Sequence, residues 1–251
     1  MTSQPRTISN PTVVAIDWSG RKGGDQIHAI RAAVLRDGQI DVWADLTRDD
    51  VVSELLELRE PNVVVGMDFS FGYPAWVGQS HGCRDGTELW PVIAKDGEHW
   101  LKACPAPFFG PKGTRRHAVE GLRACEQRAR AKSTFQIAGA GHVGTGTIRG
   151  VPCLMRLRAG GYSVWPFDAA GLRTIVEIYP TALRPYADLT SLPRRISAAV
   201  ANNDNTRDAV ASALVMWEHR SEFAALPAAT DEMVRLEGEI WTPGISRRSS
   251  T

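Results

Sequence analysis

No stretch of the chain approaches the ~18 consecutive apolar residues that span a bilayer, and the polar opening MTSQPRTISNP lacks the apolar centre of a secretory leader. A soluble, cytoplasmic protein with no membrane partner is the expectation. Cysteine is scarce: Cys83, Cys104, Cys125 and Cys153 stand far apart, with no C-x-x-C pair. Neither a zinc site nor a disulfide framework is indicated, and a reducing compartment fits. Net charge is nearly absent, at +1, so any electrostatic footprint for nucleic acid has to be local. The G-x-S-x-G elbow, the G-x-x-x-x-G-K-[ST] loop and H-E-x-x-H are missing, which removes three common catalytic templates. There is no low-complexity segment and no repeat array.

What is present reads as α/β. TVVAIDW (12–18), QIHAIRAAVL (26–35) and QIDVWADL (39–46) form strand-like runs, with the turn signal Asp37-Gly38 between the last two. An antiparallel meander is expected. RDDVVSELLELRE then sets Val51, Leu55 and Leu58 at helical spacing, with Asp49 and Asp50 in the first turn. NVVVGMDF follows as a strand parallel to the first. Residues 70–115 are rich in Gly, Pro and Trp with weak periodicity, the place for an insertion or active-site cover. Residues 115–132 look helical and basic; a short helix opens at Pro152; YSVWPF and RTIVEIY read as strands; and 206–217 as a buried helix. The whole is expected to be one domain over 12–242, with an insertion at approximately 70–160 and disordered tails at 1–11 and 243–251.

An internal echo carries the chemistry. VVAIDWSG (13–20) and VVVGMDFSFG (63–72) share an apolar run, Asp, aromatic, Ser and then Gly. As strands they place Asp17 and Asp68 at carboxyl ends, where ligands of α/β sheets gather. Each Asp alone could merely cap a turn; the matched pair points to a shared site. Glu177 lies inside the apolar run TIVEIYP, where an unpaired carboxylate is costly and calls for a partner, a cation or hydrogen bonds, unless that face of an edge strand meets solvent. Asp208 could be the third residue of a helix capped by Asn205, yet Ala211 and Ser212 let that helix approach a sheet and carry Asp208 to the strand ends. Four carboxylates without Cys or His make a hard oxygen site suited to Mg2+ or Mn2+. Two such ions about 4 Å apart can activate water and steady a leaving oxygen in phosphodiester cleavage.

The order of elements resembles the ribonuclease H-like fold: a mixed sheet of three antiparallel strands plus parallel strands, flanked by helices. More narrowly, AIDWSG, GMDFSFGYP, EIYP, DNTRDAVASA and EGEIWTP look like the successive motifs of the predicted RNase H-like nuclease family, domain of unknown function family 429, across nearly the whole chain. The resemblance implies Asp17, Asp68, Glu177 and Asp208 as metal-binding and catalytic acids in a nuclease acting on DNA or RNA.

Substrate would need cations. Lys112, Arg115, Arg116, Arg123, Arg128, Arg130 and Lys132 cluster within 112–132, and Arg116, Arg123 and Arg130 repeat every seven residues as one basic stripe; a solvated helix face is the bland alternative. His142 could orient a water or meet phosphate. Gly139-x-Gly141-x-x-Gly144, in TFQIAGAGHVGTG, has the letters of a dinucleotide loop, with Asp168 beyond it as a ribose-binding acid. A dinucleotide loop needs its helix at once, and Gly146, Gly150 and Pro152 argue that the helix starts too late. No dinucleotide cofactor is therefore expected, and the segment is predicted to border the acid cluster. Three further readings stay open: a non-catalytic nucleic-acid or nucleotide-binding module, a dinucleotide-dependent oxidoreductase, and a phosphotransferase.

Overall fold

The computed structural model describes residues 10–115, 121–139 and 141–245. The tails expected to be disordered fall for the most part outside the described residues, at 1–9 and 246–251. At the centre is a six-stranded mixed sheet of β1 (Thr12–Asp17), β2 (Arg31–Arg36), β3 (Gln39–Trp43), β4 (Val63–Met67), β5 (Ser163–Val164) and β6 (Arg173–Glu177), in the order β3-β2-β1-β4-β6-β5. β1 to β3 form the antiparallel meander, while β4, β6 and β5 run parallel to β1. The helix α1 (Arg48–Glu57) starts in a capping box: the Asp50 amide donates to Thr47 Oγ1 at 3.1 Å, and the Thr47 amide donates to Asp50 Oδ2 at 2.8 Å. Two apolar layers sandwich the sheet. Val14, Ile16, Val65, Met67 and Ile175 pack towards α1 and the insertion helices. The alternate residues Val13, Ala15, Val64, Val176 and Ile178 pack towards α7 (Arg194–Asn202) and α8 (Asp204–Glu218).

The expected strand over 26–35 is shorter than its apolar pattern, because a 3-10 turn at Gly23–Gln26 and turns up to Ile30 precede β2. The YSVWPF strand reduces to the two residues of β5. The insertion contains helices that its weak periodicity hid: α2 (Ala75–Ser80) and α3 (Trp90–Ala103), the latter with Pro91 in its first turn. The basic 115–132 segment is no continuous helix. Only α4 (Ala124–Ala129) forms among its described residues, ended by Arg130 in the left-handed region at φ 52°.

The helix expected to open at Pro152 begins nine residues earlier, as α5 (Val143–Ala159), with Pro152 inside it. Packing outweighs the poor propensity of its glycines and proline. A Cβ on Gly150 would sit 2.5 Å from the Phe69 ring, so the glycine lets α5 lie directly on the loop after β4. The objection that the helix starts too late is thereby overturned. What precedes α5 is still not a sheet strand: among the described residues around it there is only the isolated bridge Phe109–Gln136. The chain continues through α6 (Pro180–Leu183), α9 (Arg220–Phe223) and α10 (Glu232–Glu237). Among the described residues no helix is long and apolar enough to cross a membrane.

Candidate functional site

Parallel register puts Ile16 opposite Met67, so the next residues, Asp17 and Asp68, leave adjacent strands side by side. The Asp68 amide donates to Ile16 O at 3.0 Å and locks that juxtaposition. Neighbouring strands lie about 4.8 Å apart, so two partly buried carboxylates meet at the sheet's carboxyl edge. Burial first, then the charges of Asp68 and Asp208, push Asp17 up to about 9. Burial first, then Asp208 and Glu177, push Asp68 up to about 8. Like charges held together outside water favour a proton or a metal cation between them.

Asp208 reaches the same face from α8. The helix starts at Asp204 with Asn203 as its cap, whose side chain accepts from the Thr206 amide at 2.8 Å. Asn205 is therefore not the cap expected from sequence, and instead donates to Ala29 O at 2.8 Å. Asp208 then lies in the second turn. Its carboxylate is gripped by Arg184, with Nε to Oδ1 at 2.5 Å and Nη2 to Oδ2 at 2.6 Å. Arg184 lies just beyond α6, and its charge opposes the upward displacement of both Asp17 and Asp68. No local pattern marks it, because that contact joins segments brought together only by the fold.

Glu177 is level with Met67 in the β4–β6 register. It therefore belongs to the opposite face from Asp17 and Asp68. Arg123 meets it there. This arginine, expected on an exposed basic stripe, is fully buried. It donates through Nη1 to Glu177 Oε2 at 2.9 Å, through Nη2 to Glu177 Oε1, through Nε to Glu126 Oε1 at 3.0 Å, and through Nη2 to Ser70 Oγ at 2.9 Å. The Phe71 amide also donates to Glu177 Oε2, at 2.9 Å. The partner that buried Glu177 calls for is thus an arginine together with a backbone amide. Glu237 joins this network through its carbonyl, which accepts from Arg123 Nη1 at 3.0 Å, while its carboxylate accepts from the Ala75 amide at 2.9 Å and the Ala124 amide at 2.6 Å. Glu237 had no local signal beyond the EGEIWTP motif, and Glu126 had none.

A cavity of about 380 Å³ has Asp17, Asp68 and Glu177 in its wall. Gly141, His142, Val143 and Gly146 line it too, so the glycine segment does border the acids. The approach is close: a Cβ on Gly20, in the loop after β1, would lie 2.5 Å from the Thr145 carbonyl carbon. Arg21 and Lys132 supply cationic side chains to the cavity lining. His142 Nδ1 lies 2.8 Å from Gly139 O. The rest of the expected basic surface is dispersed. Lys112, Arg115 and Arg130 are exposed away from this lining, and Arg116 lies outside the described residues. Asp168, the candidate ribose acid, is held by Arg158 at 2.7 and 3.0 Å.

Asp17 and Asp68 offer hard oxygen donors, and Mg2+ commonly takes one or two carboxylates and keeps waters. The pair fits such an ion. Among the described residues no group of three or more His, Cys, Asp or Glu is arranged to hold one; Arg184 holds Asp208, and Glu177 lies on the other face. The four ligands expected from sequence thus divide into a facing pair, an arginine-held neighbour and a buried counter-ion. No family model matches the chain, and neither a curated protein nor a solved structure matches it.

Proposed function

We propose that this chain is a Mg2+- or Mn2+-dependent phosphodiester hydrolase of the ribonuclease H-like type, acting on DNA or RNA in the cytoplasm. The observation that carries the reading is the side-by-side placement of Asp17 and Asp68 at the ends of parallel strands, with Asp208 from α8 on their face. The meander β3-β2-β1 joined to parallel β4 and β6 resembles the ribonuclease H-like arrangement and supports it. Four free cysteines accord with a reducing compartment.

In this reading Asp17 and Asp68 would hold the ion, which would supply activation of water and stabilisation of charge on the departing oxygen. Arg21 and Lys132 draw the phosphate backbone towards the cavity. Glu177 acts through position: its salt bridge with Arg123 anchors the end of β6 beside Asp68. The test is cleavage of labelled single- and double-stranded DNA and RNA with Mn2+ or Mg2+ by the wild type, Asp17→Asn and Asp68→Asn. Cleavage lost in both variants supports the assignment; full activity in both sinks it. The ion pairs that engage Asp208 and Glu177 favour a second reading, a binding module without turnover. Strand binding without cleavage under any divalent metal would select it.

A further inference from the structure

The number of ions follows from Arg184, on the reading that the site is a metal-dependent hydrolase. A second ion beside the first would need another carboxylate on the face of Asp17 and Asp68. Glu177 projects to the other face and is bound by Arg123. Asp208 is the acid that could serve, and both of its oxygens are occupied by the Arg184 fork. Such bidentate pairing fixes geometry as well as charge. Its anchorage is local: α6 begins at Pro180, separated from the end of β6 by Ile178 and Tyr179, and packs against α8, so the guanidinium and Asp208 are carried by touching elements. The fork uses Nε and Nη2, leaving Nη1 outside the pair on a side chain that is about half exposed.

We propose that Arg184 takes the place of a second metal ion: the site holds one divalent cation between Asp17 and Asp68, and the Arg184 guanidinium, locked on Asp208, is the fixed positive pole that meets a substrate phosphate oxygen. This departs from the two-ion arrangement expected from the acids alone. A planar guanidinium stabilises phosphoryl charge without exchanging with solvent ions, so dependence on Mn2+ concentration should follow a single-site curve.

The experiment is calorimetric titration of MnCl2 into the EDTA-stripped full chain, with free Mn2+ counted independently by electron paramagnetic resonance. Expected stoichiometry is one ion for the wild type and for Arg184→Lys, two for Arg184→Gln, and one again for Arg184→Gln/Asp208→Asn. Two ions in the wild type overturn the inference while leaving the hydrolase reading intact. One ion in folded Arg184→Gln also overturns it, because Asp208 would then not be a ligand in waiting. Should Arg184→Gln fail to fold, the wild-type and Arg184→Lys counts still decide. No binding by the wild type, or binding unaltered in Asp17→Asn, removes the hydrolase reading itself.

Discussion

Replacing Asp68 by Asn in the metal-free protein should stabilise it, and more so as pH rises. Asp68 moves from an ordinary 3.8 to about 8 on folding, through burial and then the charges of Asp208 and Glu177. A raised carboxyl pKa means that the folded state binds more protons than the unfolded one. Its contribution is fully present below pH ~4 and is lost as pH climbs through about 8. A tenfold change in proton affinity is worth about 1.4 kcal/mol, which sets an upper bound of about 5 kcal/mol at pH 8. Asp17 titrates in concert with Asp68 and the site relaxes around any charge, so the expected effect is smaller, about 2 kcal/mol. Asn carries no such penalty. The Asn variant's advantage in Tm, measured in EDTA, should widen by roughly 4–8 °C between pH 5 and pH 8.5 for a chain of this size. An advantage that is constant with pH, or that narrows as pH rises, would refute the electrostatic account of the acid pair.

Other outcomes follow from the same geometry. Arg123→Met should destabilise by about 3–5 kcal/mol in urea melts, because it strands Glu177 and Glu126 in the interior; a change below about 1 kcal/mol would deny that the network is structural. Mn2+ must displace the acid-pair proton, so its affinity should rise steadily from pH 6 to pH 9 and binding should release protons into a weak buffer. Gly150→Ala should shift Phe69 and cost stability, visible as a lowered Tm. Thr47→Ala should cost about 1 kcal/mol through the lost cap of α1, without altering Mn2+ affinity.

The elements readable from sequence were those with their own period. β1, β3, α1, β4 and β6 combine regular apolar spacing with turn or cap residues, and local chemistry sufficed. α5 was illegible because its glycines and Pro152 are poor helix formers, offset by packing on α1, α3, Phe69 and the loop at Gly20. The Asp17–Asp68 pair was legible as a repeated motif. The facing of Glu177 was written in the alternation of TIVEIYP, since Ile175 shares its side of the strand, but it becomes informative only once the register with β4 is known. Arg123 and Arg184 were out of reach: one looked like part of a basic stripe, the other sits in no motif, and both acquire meaning from partners elsewhere in the chain.

The two-residue pleat of β6 also bears on how such a site could change over evolutionary time. Glu177 and Ile178 occupy opposite faces, and Ile178 already borders the cavity beside the acids. Arg123 holds both carboxylate oxygens of Glu177 on its own side of the strand, and substituting Glu177 leaves that buried arginine without its partner. A single-residue insertion or deletion in β6 would exchange the two positions, delivering a carboxylate to the acid face and an aliphatic side chain to Arg123. The ligand number of this scaffold is thus gated by chain length in one strand, a slower and more discontinuous route to new metal chemistry than point substitution.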